Sequence, residues 1–395
     1  MNVFRYLLTL FFLVCIGAAG QAAEVDAPAF KDDLDRESLY GAIQGSLEFL
    51  SRLAPDQTLA ERPRKITAQE LKESLLSFVE ILNLWGDPEK MAEAIRSRFD
   101  ILPSAPDPAE REMLVTGYYQ PVIEGSLIPT AAYRFPIYRR PDDLVEVGRG
   151  GLAAELDSER SFTRLVGNRL APYFSRYEID VLGRLKGNGY EIAWVKDPVE
   201  LFFLHIQGSG IIRLEDGRML QLNYAANNGR PYTSIGKVLM DAGKIPQAEL
   251  SAARLRRFLV EHPEEQAALF GRNERYIFFR FVERGPLGSL EVSLTPGRSV
   301  AIDSSYFARG ALGLIVSHKP LLDATGNLAG WQPFSRFVVN QDSGAAIRGP
   351  RRVDLYFGSG DEAGQAAGFM KSKGKLYFLL RKKVGAESPA VSKGE

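Results

Sequence analysis

Cysteine is almost missing from this chain. Cys15 is the only one among 395 residues, and it lies inside an apolar run over 7–16. Arg5 precedes that run and the small residues of Gly20-Gln21-Ala22 follow it, the form of a secretory signal peptide over 1–23. The run is shorter than a membrane span requires. Leu13 and Val14 stand before Cys15, where a lipoprotein signal needs a small residue. The mature chain is therefore expected in the periplasm, without a lipid anchor, with outer-membrane association as the alternative. Without that segment no cysteine remains, which excludes a disulfide, a thiol nucleophile and a cysteine-based metal site.

Histidine is also scarce. His205, His262 and His318 are the only three, and no His-Glu-x-x-His pattern joins any of them, so no metal site is expected. There is no Gly-x-Ser-x-Gly elbow for a serine hydrolase, and no dinucleotide or phosphate-loop fingerprint. No cofactor is called for. Net charge is absent too: 49 basic residues balance 49 acidic ones. Nucleic-acid binding wants a basic surface, so it is not expected. Balanced charge suits a neutral or mixed substrate such as a glycan.

What is present is enough apolar material, 45% of the chain, for two domains. Residues 24–37 are acidic and read as a flexible lead-in. Leu39, Ile43, Leu47 and Leu50 recur at helical spacing. Thr67 with Glu70 makes a capping box before an apolar stripe from Leu71 to Leu82, and Asp87-Pro88 opens a third helix. Past 103–108 the pattern turns to strands: 113–119, 135–138, 191–195, 201–206, 211–214 and 219–224. Residues 141–171 read as a loop-rich insertion, and 172–186 as a helix. Helices follow over 235–242 and 248–262. A second β-rich zone runs from 276 to 282 and on through 289–293, 299–302, 311–316, 336–340, 353–357 and 375–380. Short strands joined by glycine turns point to a barrel. The tail, 384–395, reads as disordered.

One stretch in that zone carries chemistry. Between 336 and 364, two β-rich runs flank a loop rich in Gly and Arg. Strands disfavour Asp, yet Asp354 interrupts the second run. Alternation puts Val353, Leu355 and Phe357 on one face and Asp354 and Tyr356 on the other. A carboxylate that breaks a local rule suggests a site; the plain alternative pairs it with Arg348, Arg351 or Arg352. Asp342 and Asp303 are further candidates, each equally readable as a turn former. Asp361-Glu362 reads as a helix start, and His205 as a satisfied strand histidine. Gln207-Gly208-Ser209-Gly210 is either a plain turn or one that touches sugar. Aromatics such as Tyr118, Tyr119, Tyr224, Tyr232, Tyr306, Trp331 and Tyr356 read mostly as core, with some free to stack on sugar rings.

Four ordered blocks carry a resemblance. They are Thr116-Gly117-Tyr118-Tyr119-Gln120-Pro121-Val122-Ile123, then His205-Ile206-Gln207-Gly208-Ser209-Gly210, then 224–239 from Tyr224-Ala225-Ala226-Asn227-Asn228-Gly229, and finally the 336–364 stretch. Together they resemble the membrane-bound lytic murein transglycosylase A family over roughly 113–380. The resemblance implies a mainly β fold with an α-helical N-terminal part: a double-psi β-barrel domain, a second β-barrel domain inserted into it, and a groove between them. The expected division is a helical part over 24–118, the insert over 119–275 and the catalytic barrel part over 276–383. The resemblance implies a peptidoglycan lyase with Asp354 as its essential acid, and Asp342 and Asp303 in support. The expected substrate contacts are Tyr119, Gln207, Ser209, Tyr224, Asn227 and Tyr356. Peptidoglycan glycan strands are the expected partner, with cell-wall synthesis or outer-membrane proteins as further partners. The acid's pKa is expected to be raised by burial and by the nearby carboxylate, and Arg351 and Arg352 are expected to point away from it. A two-carboxylate hydrolase and a non-catalytic wall-binding barrel are the alternatives.

Overall fold

A computed structural model describes residues 28–61, 64–105, 111–147 and 161–383. The segments read as signal peptide and disordered tail lie outside the described residues. Among the described residues no helix is long and apolar enough to cross a membrane.

The N-terminal part is helical. α1 (Arg36–Ser51) starts where the Asp35 side chain accepts the Ser38 N–H, and it buries Leu39, Ile43 and Leu50. The small hairpin of β1 (Thr58–Ala60) and β2 (Ile66–Thr67) leads into α2 (Ala68–Ile81), opened by the Thr67–Glu70 capping box. α3 (Pro88–Arg98) has Asp87 as its cap and proline in first place. These helices pack Leu71, Leu75 and Phe78 against Leu314, Phe337, Val339 and Leu379 on the outside of a barrel.

The chain reaches that barrel through β3 (Phe99–Pro103) and β4 (Met113–Gln120) and then leaves it. A long excursion follows: β5 (Val122–Ser126), β6 (Phe135–Tyr138), β7 (Leu144–Val147), β8 (Ser161–Val166), β9 (Arg169–Ala171), α4 (Arg176–Asp180), β10 (Glu191–Val195), α5 (Pro198–Gln207), β11 (Gly210–Arg213), β12 (Met219–Asn227), α6 (Ile235–Asp241), α7 (Ala252–Glu261), α8 (Pro263–Arg272) and β13 (Ile277–Val282). The barrel is completed by β14 (Ser299–Ile302), β15 (Leu312–Leu322), β16 (Leu328–Asp342), β17 (Arg352–Ser359), α9 (Asp361–Phe369) and β18 (Lys371–Arg381).

The barrel ring runs β15-β16-β14-β17-β4-β18 and closes by pairing β18 with β15, with β3 attached to the outside of β18. Two pairs are parallel, β14 with β16 and β17 with β4; the other pairs are antiparallel. Closure leaves no free edge. Inward-facing Val115, Ile302, Ile315, Val338, Val353 and Leu355 fill it. This is the double-psi architecture implied by the resemblance, built from both ends of the chain. The excursion forms a second sheet, β13-β12-β11-β5-β10-β6, whose outer strands approach each other around Ile123, Val195, Ile212, Leu222 and Phe279. Helices α5 to α8 pack beside it.

Several expectations need correction. Residues 201–206 are helical, not a strand: Asp197 caps α5 with Pro198 in first place, the same signature that marked α3. The near-continuous apolar run hid the helical period. The 172–186 helix shrinks to α4, and α8, started by Pro263, was not foreseen. The described parts of 141–171 form a three-stranded sheet, β7-β8-β9. Residues 289–293 hold no strand, only an isolated bridge between Leu287 and Ser293. The N-cap of α9 is Gly360; Asp361 lies in its first turn.

The described part of the lead-in is tied down rather than loose. Asp32 meets fully buried Arg298 at 2.6 Å and also accepts the Phe337 N–H, while Asp33 pairs with Arg336 and Lys319. β13, just past residue 275, pairs with β12 in the second sheet.

Candidate active site

The two sheets meet at more than one place. β4 ends at Gln120, whose buried side chain donates to the Gln221 carbonyl (2.9 Å) in the second sheet and accepts from Ser359 (2.8 Å) in the barrel. The chain returns through 283–298. There Gly288 passes so close to β16 that an added Cβ would lie 2.3 Å from the Gln341 carbonyl. This return brings the Ser289 N–H onto Asp342.

Between the sheets lies a cavity of about 1120 Å³. The barrel contributes Thr116, Tyr118, Asp342, Arg352 and Asp354; the second sheet and its helices contribute His205 to Ser209, Asn223 to Ala225, Asn227 and Arg280. Such a cleft is of the size that holds small or extended ligands.

Asp354 sits in the middle of β17, opposite Ala301 on one side and Thr116 on the other. Its carboxylate accepts the Thr116 hydroxyl. Burial pushes its pKa up; the Thr116 hydrogen bond and the charge of Arg352 push the other way. The net direction is upward, as a proton donor needs.

Asp342, at the end of β16, is held on both oxygens. Oδ1 accepts the N–H groups of Ser343 (2.8 Å) and Ser289 (2.9 Å), and Oδ2 accepts the Tyr118 hydroxyl (2.9 Å). Burial nevertheless outweighs these bonds and lifts its pKa to about 6, with the charge of Asp354 adding to the rise.

Arg352 is a correction. It lies two residues before Asp354 on β17, and alternation puts both on one face. It lines the cavity beside the acid, whereas Arg351 is exposed in the turn.

Asp303 does not line the cavity. It is buried, accepts from Ser305 and from the Gly349 N–H (2.8 Å), and so anchors the 344–350 loop that forms one wall. These bonds, with Arg348 nearby, outweigh burial and lower its pKa.

Of the six expected substrate contacts, Gln207, Ser209, Tyr224 and Asn227 line the cavity. Asn227 is braced in place, donating to the Tyr224 hydroxyl (2.7 Å) and accepting from the Gly229 N–H (2.8 Å). Tyr119 and Tyr356 do not line it. Tyr119 points to the other side of β4, against Gly364, with Arg256 donating to its hydroxyl. Tyr356 is fully buried behind Tyr118, ring centroids 5.3 Å apart, and bonds to Ser359. Tyr118 and Tyr232 take the open positions instead, while Tyr306 and Trp331 are exposed elsewhere.

His205 lies in α5 at the cavity wall. Its Nδ1 accepts the Ile277 N–H (3.2 Å), and burial with nearby Arg176 drives its pKa well down, so it is neutral. Among the described residues, the group with metal-binding geometry is His262 with Glu264 and Glu265, outside the cavity.

Thr116 is not singled out by the sequence, and Arg352 enters there only as a possible partner of Asp354 or as pointing away. The period-2 rule that isolated Asp354 would have marked Arg352. Thr116 required knowing that β4 pairs in parallel with β17, which no local pattern states.

Comparison with known proteins follows the same outline. The chain matches the family model described as the MltA specific insert domain over 114–280 and that of the 3D domain over 298–380. It is 29% identical over 309 residues to the membrane-bound lytic murein transglycosylase A of Vibrio cholerae, covering 76% of this chain and 74% of that protein. The Escherichia coli K12 protein of the same name is 33% identical over 267 residues, 67% of this chain and 64% of the relative. Among solved structures, a membrane-bound lytic murein transglycosylase from Agrobacterium tumefaciens superposes with TM-score 0.70 at 30% identity, covering 89% of this chain and 97% of that one. Escherichia coli MltA with bound chitohexaose gives TM-score 0.65 at 26% identity, covering 87% and 90%.

Proposed function

The chain belongs to the membrane-bound lytic murein transglycosylase A family, and on that premise we propose that it is a peptidoglycan lyase cleaving the β-1,4 bond between N-acetylmuramic acid and N-acetylglucosamine. Asp354 is the residue that does the chemistry. It first protonates the departing glycosidic oxygen. The carboxylate so formed takes the proton from the muramyl C6 hydroxyl as that oxygen attacks C1. The product is a 1,6-anhydromuramyl end. No second carboxylate is required, because the nucleophile is tethered to the sugar itself, unlike the paired carboxylates of ordinary glycosidases.

The observation that carries this reading is Asp354 itself: a half-buried strand carboxyl facing the cleft, hydrogen-bonded among the described residues by Thr116, and biased toward its protonated form. Asp342 supports the single-acid reading from the other side. Both of its oxygens are already engaged by backbone and tyrosine donors, which suits a fixed support rather than a base or nucleophile. Asp303 supports by holding the 344–350 wall. Gln207, Ser209, Tyr224 and Asn227 would contact the glycan. The site of action is the cell envelope, on the periplasmic side, and the insert over 119–275 is read as interrupting the barrel domain.

Masses of muropeptides released from purified murein test this. Wild-type protein is expected to give anhydro ends and Asp354→Asn none. Release of reducing muramic ends by the wild type would overturn the proposal.

A further inference from the structure

Charge is balanced over the whole chain, 49 against 49, and the cleft carries both signs. Among the described residues its lining holds Arg140, Arg275, Arg280, Arg309, Arg348 and Arg352. Its lining carboxylates are Glu146, Glu291, Asp342 and Asp354; Arg140 pairs with Glu146 and Arg280 with Glu291. The two aspartates are both pushed by burial toward the neutral form.

Arg352 stands beside the chemistry. Two residues along an extended strand separate it from Asp354 by about 7 Å, on the same face. Its charge reaches Asp354 on one side and Tyr232 of the opposite wall on the other. Among the described residues its buried Nε has no hydrogen-bond partner. A buried N–H left unpaired is costly, and a guanidinium is shaped to take a carboxylate on two donors at once.

We propose that Arg352 binds the carboxylate carried on the 3-lactyl arm of the muramyl residue beside the scissile bond, and that it makes the cleft selective for muramyl glycans over neutral ones. The inference rests on the peptidoglycan reading of this cleft. Of the two sugars in the strand, only muramic acid bears this arm. Its carboxylate is either free, on strands without peptide, or replaced by a stem peptide that brings carboxylates of its own. Both sources present the same group to the guanidinium.

Binding in an inactive background tests the proposal apart from catalysis. Asp354→Asn and Asp354→Asn with Arg352→Met would be titrated with three glycan oligomers: one with free lactyl carboxylates, the same one converted to methylamides, and one bearing stem peptides. Loss of a charge-assisted hydrogen bond should weaken a carboxylate-bearing oligomer on the order of 10- to 100-fold. The methylamide should change by less than about two-fold, within the spread of surface effects. Which charged oligomer loses affinity identifies the source of the carboxylate. Equal loss on the methylamide, or no loss on either charged oligomer, overturns the proposal. If the Met variant melts early, Arg352→Lys carries the same comparison, since it keeps the charge and loses the fork. A wild-type protein that forms no anhydro ends yet retains the carboxylate preference would sink the lyase reading and leave Arg352's role standing.

Discussion

Asp354 differs from its closest neutral mimic by the ability to give up a proton. Asp354→Asn keeps the shape and removes the donor, so cleavage is expected to fall on the order of 10²–10⁴-fold while the melting temperature stays near wild type. A normal rate of murein clearing by a well-folded variant would contradict the assignment.

The pH dependence follows from the groups around it. The acid works while protonated, so activity is present below its raised pKa and is lost as pH rises through it. The Thr116 hydroxyl favours the carboxylate. Thr116→Val is therefore expected to lift the pKa and move the alkaline limb of the pH–rate profile upward; a limb that stays put or moves down would show that Thr116 does not tune the acid.

For Asp342, whose pKa rises on folding to about 6, the folded state holds more protons than the unfolded one. Its contribution to stability is full below its unfolded value and declines as pH rises through about 6. Asp342→Asn should flatten that decline in thermal melts and reduce activity less than Asp354→Asn. At this scale Asp354 was legible because Asp is out of place in a strand. Arg352 was legible in principle by the same spacing, but it was expected to turn away.

Among the elements, β4 and β17 matter most, because their parallel pairing joins Thr116 to Asp354. Gly117 lets that pair lie under α9: an added Cβ would meet the Phe357 ring at 2.7 Å and the Ala367 backbone at 2.9 Å. Gly117→Ala is expected to cost roughly 1–3 kcal/mol of stability, read as a lower denaturation midpoint with an unchanged rate per folded molecule. An unaltered midpoint would mean that α9 gives way freely. The strands of the barrel could be read locally, since Val353, Leu355 and Phe357 alternate with polar residues as an inward face must. Helix α5 could not, since Leu201 to Ile206 is apolar or buried at almost every position and loses the 3.6-residue period. Only its Asp-Pro start betrayed it. Tyr119 and Tyr356 show the same limit: a tyrosine beside the site looks alike in sequence whether it faces the cavity or the core.

Over the whole molecule, the barrel is assembled from segments far apart in sequence, and the N-terminal stretch seals it. Arg298 is wholly buried and answered by Asp32, Ser38, Asp35 and Phe337. Removing Asp32, its ion-pair partner among the described residues, would strand a buried cation. Asp32→Ala is therefore expected to destabilise by about 3–5 kcal/mol, seen in chemical denaturation; a loss below about 1 kcal/mol, the range of exposed pairs, would contradict the burial. No acidic lead-in announces such a partner from sequence, because the pairing spans most of the chain.

Whether the substrate's own C6 hydroxyl replaces water is decided by the fate of one oxygen atom. Digestion of purified murein by the wild-type protein in heavy-oxygen water, followed by mass spectrometry of the released muropeptides, reads it directly. Anhydro ends lighter by one water than hydrolytic ends are expected, with no label at the new muramyl C1. Heavy oxygen incorporated at that carbon would contradict it and assign the cleft to a hydrolase working through Asp342 and Asp354.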